Sequence, residues 1–110
     1  MNTSYFAKSA KNENAVSICG GVPDWYKGRQ YKKLAPKFWF FQKYKEDHDS
    51  VFYTIQYKKE VLDVLDPKKV FEELGENSVL LCWEKPSDFC HRHLVADWFK
   101  EKLGIEVKEL

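Results

Sequence analysis

The feature that most constrains the fold is the run Val79-Leu80-Leu81-Cys82-Trp83, which contains no charged or strongly polar side chain. A strand with one face in water alternates apolar and polar residues, whereas a strand covered by helices on both faces is apolar throughout. Such double coverage is typical of parallel sheets in α/β proteins. The run therefore predicts a central strand of a mostly parallel sheet.

Two further segments are predicted to be strands of the sheet, and a third is predicted to be an arm that precedes it. Ala15–Cys19 is a short apolar strand that stops at the turn residues Gly20–Asp24. Residues 105–110 alternate apolar and charged side chains, as an edge strand does. Residues 1–14 are rich in Asn, Ser and Lys, and this composition predicts a loosely ordered arm.

The remaining segments predict helices between the strands. An aromatic helix is expected over 37–45, a helix with Val51, Ile55, Leu62 and Leu65 on its buried face over 51–65, a short helix from Asp66-Pro67 to Gly75, and a last helix, capped by Ser87 or Asp88, that ends at Gly104. Residues 25–36 lack a helical period and predict a long loop, and residues 84–87 predict a turn. The order of elements predicts one α/β domain, a three-layer Rossmann-like sandwich.

Composition and charge restrict the partners. The 110 residues carry a net charge of only +1, but residues 1–59 hold 11 basic and 5 acidic side chains while residues 60–110 hold 7 and 12. This asymmetry predicts an anionic small molecule or a nucleic acid as the partner of one half. Three cysteines without a secretory signal predict a cytoplasmic protein, and no apolar run approaches the roughly 20 residues of a membrane helix.

The side chains that carry chemistry follow the two inner strands. Ligands of open α/β sheets bind at the carboxyl ends of the strands. The groups expected there are Gly20 and Gly21 after the first strand, Glu84 after the central strand, and Cys90, His91, Arg92 and His93 at the start of the last helix. If Asp88 caps that helix, Cys90 and His91 lie in its first turn, where free amides attract anions and lower the pKa of a thiol. Arg92 adds a planar donor for phosphate.

Structural roles compete with each of these assignments. Arg92 can pair with Asp88 or with Glu84 instead of a ligand, and Cys90 can be a small buried thiol. His91 is expected to be a poor direct partner for Cys90, because neighbouring helical residues point in different directions. The cysteines and histidines lack the paired spacing of zinc sites, so no metal is predicted.

The loop before the aromatic helix is a second candidate surface. Lysines alternate with aromatic residues in this loop, a pattern that can bind phosphates and stack on bases. Tyr31 and Lys33 are the residues of the loop that we predict to bind the ligand. The competing interpretation is a solvated loop whose rings belong to the core.

The segment from Val79 to Ala96 resembles the signature of a bacterial and phage family, the domain of unknown function 488 family. The shared pattern is an apolar strand that ends in Cys-x-Glu, followed by Cys-His-Arg at the start of a helix. The similarity extends back to Val16, and the chain resembles a short subgroup of the family. It implies a small α/β fold with Glu84, Cys90, His91 and Arg92 clustered, and it implies no agreed activity.

Two functions are compatible with this pattern. In the first, Gly20, Gly21, Arg92, His93, Lys33 and Tyr31 bind a phosphate-bearing nucleotide-like ligand or a nucleic-acid end. Glu84, His91 and Cys90 would then hydrolyse that ligand without a cofactor. In the second, the domain is a non-catalytic module that sequesters such a ligand or docks a protein partner. Turnover separates these two predictions.

Overall fold

A parallel sheet surrounded by helices forms the fold, seen in a computed structural model that describes residues 1–85 and 87–110. The strands are β1 (Asn2–Tyr5), β2 (Ala15–Ser17), β3 (Arg29–Gln30), β4 (Val79–Cys82) and β5 (Lys108–Glu109). They lie in the order β3-β2-β4-β1-β5 and every pair is parallel. The helices are α1 (Phe6–Ser9), α2 (Phe38–Asp47), α3 (Ser50–Tyr57), α4 (Pro67–Leu74) and α5 (His91–Leu103), with a 3₁₀ turn at Lys32–Leu34 and a π-helical turn at Lys58–Leu62. The predicted α/β class and parallel sheet are confirmed.

Strand β4 occupies the centre of the sheet, as the sequence predicts. All four of its residues are buried. Leu80 lies opposite Val16 of β2 on one side and opposite Thr3 of β1 on the other. Trp83 leaves the strand and is half exposed. The two inner strands β2 and β4 therefore bring Cys19 and Glu84, which follow them, to the same edge of the sheet.

The prediction of a loosely ordered arm is wrong for the first residues of the chain. Asn2–Tyr5 is an inner strand between β4 and β5, and its Thr3 and Ser4 are buried. The hydroxyl of Thr3 donates a hydrogen bond to Glu109 Oε1 over 2.6 Å, and that of Ser4 bonds to the Ser9 hydroxyl over 2.6 Å. Small hydroxyl side chains can be buried when their hydrogen bonds are made inside the fold. The polar composition of this segment was therefore not a sign of exposure.

The helix predicted over 51–65 is present, but its buried face differs from the prediction. Val51 and Ile55 are 69% and 57% exposed, whereas Tyr53 and Tyr57 are buried. In the π-helical turn the Asp63 N–H bonds to the Lys58 carbonyl five residues earlier, which changes the phase of the helix. The apolar stripe read from the sequence therefore does not continue on one face.

The predicted helix ends are confirmed for α4 and at the end of α5. Asp66 Oδ1 accepts a hydrogen bond from the Lys68 N–H over 3.0 Å, and Pro67 occupies the first helical position. Gly75 and Gly104 follow the two helices with positive φ angles of 92° and 67°.

The loops around the sheet agree in part with the sequence. The predicted loop over 25–36 contains only β3 and the 3₁₀ turn, and the predicted edge strand over 105–110 is reduced to Lys108–Glu109. In the predicted turn over 84–87, Pro86 lies outside the described residues. No helix in the described part of the chain is long and apolar enough to cross a membrane.

Candidate active site

A cavity of about 730 Å³ opens at the carboxyl ends of β2 and β4. Cys19, Gly20, Gly21, Trp83 and Glu84 line it from the strand ends, and Cys90 and His91 line it from the start of α5. Its other walls are mainly aromatic and include Phe38, Phe41, Tyr44, Tyr53 and Phe89. Five of the predicted site residues, Gly20, Gly21, Glu84, Cys90 and His91, thus share one cavity.

The backbone at Cys90 brings its thiol to the neighbouring histidine. Helix α5 begins at His91, and Cys90 is its N-cap residue, with extended backbone angles of φ −153° and ψ 144°. The predicted cap at Ser87 or Asp88 is therefore wrong. Because Cys90 is not helical, its Sγ does not diverge from His91 and lies 3.8 Å from the ring Nδ1. The expectation that His91 is a poor direct partner for Cys90 is also wrong.

The ring of His91 is held in a single orientation. It is buried, and its Nε2 donates a hydrogen bond to the Ile18 carbonyl oxygen over 2.7 Å. The ring also packs edge-on against Tyr57, with 5.4 Å between centroids. With Nε2 engaged, Nδ1 faces the Sγ atoms of Cys82 at 3.5 Å and of Cys90 at 3.8 Å. His91 can therefore receive a proton from a thiol at Nδ1.

The electrostatics of the cluster favour charge separation between Cys90 and His91. Burial opposes ionisation of Cys90, but hydrogen bonds to Cys82 and His91, together with the charge of His91, lower the Cys90 pKa far below its ordinary value. Burial likewise opposes the charged form of His91, but its bond to Cys90 and the thiolate charge raise the His91 pKa above its ordinary value. Both shifts favour a thiolate at Cys90 and an imidazolium at His91.

Glu84 supplies a carboxyl group that titrates near neutrality. Its side chain is partly buried on the cavity wall. Burial, and next the negative charge of Cys90, raise the Glu84 pKa to about 7. A carboxyl group with this pKa can both donate and accept a proton at physiological pH.

Arg92 is not available to a ligand, contrary to the prediction. Its side chain is fully buried, and Nε and Nη2 donate to Glu109 Oε1 and Oε2, each over 3.1 Å. Its Nη1 donates to the backbone carbonyl oxygen of Glu84 over 2.7 Å. Neither of the expected partners, the Asp88 and Glu84 carboxylates, is paired with it. Arg92 is outside the described lining of the cavity and supports the chain at Glu84 instead.

The other predicted ligand-binding residues also lie away from the cavity. Tyr31 and Lys33 both bind Glu73 on α4 and line a separate, smaller cavity of about 270 Å³. Arg29 in the same loop donates to the Leu74 carbonyl oxygen over 3.1 Å. The loop is therefore docked on the end of α4. His93 is partly buried and is absent from the described lining as well.

Gly20 and Gly21 leave the cavity wall open beside the thiols. A Cβ atom at either position would meet nothing within 4 Å, so the packing of the chain does not itself require glycine there. Trp83, across this opening, donates through its indole N–H to the Gly21 carbonyl oxygen over 3.0 Å. Close approach of a ligand to the backbone at these two glycines stays a prediction.

The aromatic wall is the part of the site that sequence reasoning missed. Phe89 packs against Tyr44 and Tyr53, with centroids 5.1 and 5.0 Å apart. In the sequence these rings are indistinguishable from core residues, because the same periodicity predicts packing against a sheet. The sequence pattern likewise identifies Cys19 as the end of a strand and gives it no chemical role.

Three buried groups beside the cavity can contact one ion. The Sγ atoms of Cys19 and Cys82 and a ring nitrogen of His91 lie within 4.8 Å of one another. Soft metals such as zinc prefer thiolate and imidazole. The set provides three ligands, one fewer than a closed structural zinc site. The expectation of no metal stays a prediction that metal analysis can test.

The fold and the site together define a small parallel α/β domain with a thiol, an imidazole and a carboxyl group in an aromatic cavity. A family model described as the active DUF488-N3 subclade, DUF488-N3a, matches residues 4–103. The chain therefore belongs to this family, and the resemblance read from the Cys-x-Glu and Cys-His-Arg motifs is confirmed. Searches of curated proteins and of solved structures found no significant match.

Proposed function

We propose that the protein is a hydrolase that takes the base of a nucleotide-like ligand, or of a nucleic-acid end, into the aromatic cavity. The observation that carries this proposal is the presence of Glu84, with its pKa near 7, beside Cys90 and His91 on one wall of that cavity. Membership of a subclade described as active supports an enzymatic role. The substrate class rests on the shape and chemistry of the walls.

The walls favour a flat ring over a phosphate group as the buried part of the ligand. Aromatic side chains provide stacking surfaces, and stacking on bases contributes about 1–3 kcal/mol per base. Among the described lining residues Lys45 is the one lysine or arginine, and its ammonium lies 4.9 Å from the centre of the Phe41 ring. With Arg92 bound to Glu109, Lys45 remains to attract the phosphate of a bound nucleotide.

Glu84 can serve both halves of a hydrolysis. As a carboxylic acid it protonates the leaving group, and as a carboxylate it then takes a proton from the attacking water. A pKa close to the working pH suits both tasks, because each form is well populated. Gly20 and Gly21 have no side chains, and the space beside them in the cavity leaves room for a ligand on the wall that also contains Glu84.

The test is a panel of nucleosides, nucleotides and short oligonucleotides, assayed for binding and for product with wild type and Glu84→Gln. We expect product from wild type and a loss of at least about 100-fold in kcat for Glu84→Gln, which is the usual range for a general acid–base group. The matched control is Glu106→Gln, which makes the same change at an exposed position outside the cavity lining. It should retain wild-type turnover.

The other outcomes decide between the remaining possibilities. Tight binding of a nucleotide without product would overturn hydrolysis and support the non-catalytic sequestering module. Failure of every member of the panel to bind would overturn the substrate class.

A further inference from the structure

We infer that Cys90 is the covalent nucleophile of this cavity and that His91 is its built-in counter-ion. The inference deepens the proposed function and rests on it for the identity of the ligand. It stands separately on the arrangement of the thiol, the imidazole and the Ile18 carbonyl.

The three groups have the order that an activated nucleophile requires. A thiol nucleophile needs an adjacent base, and the base needs a third group that fixes its orientation. Here the Cys90 Sγ lies 3.8 Å from His91 Nδ1, and His91 Nε2 is 2.7 Å from the Ile18 carbonyl oxygen. The Ile18 carbonyl oxygen accepts a hydrogen bond from the Nε2–H group, and this orientation of the ring directs Nδ1 at the sulfur atom of Cys90.

Cys90 is a buried residue that lines the cavity. The residue is only 3% exposed. It also precedes the 13-residue helix α5, whose amino end favours a negative charge. A ligand or reagent that enters the cavity can therefore contact Cys90.

Two other thiols compete for this role. Cys19 also lines the cavity, but its Sγ donates a hydrogen bond to the Leu81 carbonyl oxygen over 3.6 Å and is not among the described partners of His91 Nδ1. The surroundings of Cys82 exclude it. Its Sγ lies 3.5 Å from His91 Nδ1, but it is fully buried and is absent from the described lining. Burial raises the Cys82 pKa well above its ordinary value. Cys82 therefore remains a neutral thiol that can donate a hydrogen bond to the Cys90 thiolate.

The reaction proceeds in two steps with water as the co-reactant. The Cys90 thiolate uses a lone pair to form a bond to an electrophilic carbon of the ligand, and the bond from that carbon to the leaving group breaks. The leaving group keeps the electron pair and takes the proton of the Glu84 carboxyl. Water then loses a proton to the Glu84 carboxylate and attacks the same carbon, which releases the thiolate. His91 stays protonated throughout, so charge and protons balance.

The test is the pH dependence of alkylation by iodoacetamide, followed for each cysteine by peptide mass spectrometry. For an ordinary thiol, with a pKa of about 8.5, the rate rises about tenfold for each unit of pH increase as long as the pH is below that value. We expect the Cys90 rate to change by less than about threefold between pH 5.5 and 8.5. The protein unfolded in guanidinium chloride is the internal control, and there all three cysteines should show the ordinary dependence.

A variant assigns the effect to the histidine. His91→Asn should lower the Cys90 rate at pH 6 at least tenfold and restore the ordinary pH dependence, with circular dichroism as the check on folding. Because this residue is buried, the variant can fail to fold. The wild-type profile decides the question in that case.

Two results would overturn the inference. One is a tenfold rise in the Cys90 rate per pH unit in the folded wild type. The other is stoichiometric zinc in the purified protein, with Cys90 protected until the metal is chelated. Neither experiment uses a nucleotide, so a flat profile with no nucleotide binding would reject the substrate class alone. Once a ligand is converted, acid-quenched mixtures should contain a Cys90 adduct, and its absence counts against the covalent step.

Discussion

At the scale of single residues, Arg92 shows how a side chain that looks suited to a ligand can be structural. Its guanidinium is fully buried and is bound to both carboxylate oxygens of Glu109. A buried charge that loses its partner destabilises a protein strongly. The pair therefore contributes to stability and, through the bond to the Glu84 carbonyl, to the position of Glu84.

We expect Glu109→Gln to lower the free energy of unfolding by about 2–3 kcal/mol at pH 7. This is less than the roughly 3–5 kcal/mol of a fully buried pair, because the Glu109 side chain is 22% exposed. Urea denaturation measures the change. Glu106→Gln, on an exposed residue of the same segment, should change the stability by less than about 0.5 kcal/mol.

The same variant should show a characteristic dependence on pH. Burial opposes ionisation of Glu109, but hydrogen bonds from Arg92 and Thr3 outweigh it and keep the Glu109 pKa below its ordinary 4.5. The stabilisation is complete above this value and is lost as the pH falls through the lower, folded-state pKa. The gap between wild type and Glu109→Gln should thus shrink below pH 4.5. A constant gap down to pH 2 would contradict the ion pair.

The contrast between Glu84 and Arg92 shows what residue patterns could predict. Glu84 and Cys90 lie between a strand end and a helix that begins at His91, and the rule for parallel sheets places such residues together. The partner of Arg92 is 17 residues further along the chain, on a strand of two residues, and no local pattern links them. The contact between Cys90 and His91 depends on one extended residue before the helix, which the sequence does not specify.

At the scale of elements, α3 is the helix whose buried face differs from the one predicted from the sequence. Its buried face is set by Tyr53 and Tyr57, and the Tyr57 hydroxyl donates to the Leu34 carbonyl oxygen over 2.6 Å. This bond is buried and joins the helix to the 3₁₀ turn. The spacing of apolar residues predicted the helix, but tyrosines count as weakly apolar in a periodicity analysis, and the π-helical turn alters the phase.

We expect Tyr57→Phe to cost about 1–3 kcal/mol of stability, because it leaves the buried Leu34 carbonyl without its hydrogen bond. Thermal or urea unfolding measures the loss. The comparison is Ile55→Thr, at a position 57% exposed on the other face of the same helix. That change should cost less than about 0.5 kcal/mol. A large loss from Ile55→Thr would favour the face predicted from periodicity.

At the scale of the whole molecule, the first strand completes the sheet. Strand β1 lies between β4 and β5, and Asn2 is opposite both Val79 and Lys108. The α/β class and the central strand could be predicted from one apolar run. The role of Asn2–Tyr5 could not, because a short segment whose two buried side chains, Thr3 and Ser4, are hydroxyl-bearing resembles an exposed polar segment.

Hydrogen exchange tests this placement. We expect the amides of Thr3 to Tyr5 to be protected to a degree similar to those of Leu80 to Cys82, because both segments lie inside one sheet. Nuclear magnetic resonance or mass spectrometry can follow the exchange. The exposed loop at Gly20 and Gly21 provides the unprotected reference. Exchange of Thr3 to Tyr5 as fast as that loop would support a loosely held arm instead.

The central place of Asn2–Tyr5 in the sheet also has a consequence for how the chain is made. Residues 2–5 leave the ribosome well before their two neighbours in the sheet, residues 79–82 and 108–109. Parallel pairings between such distant segments form slowly. Until both neighbours have been translated, the hydrogen-bonding edges of this segment stay unpaired and are open to pairing with other chains.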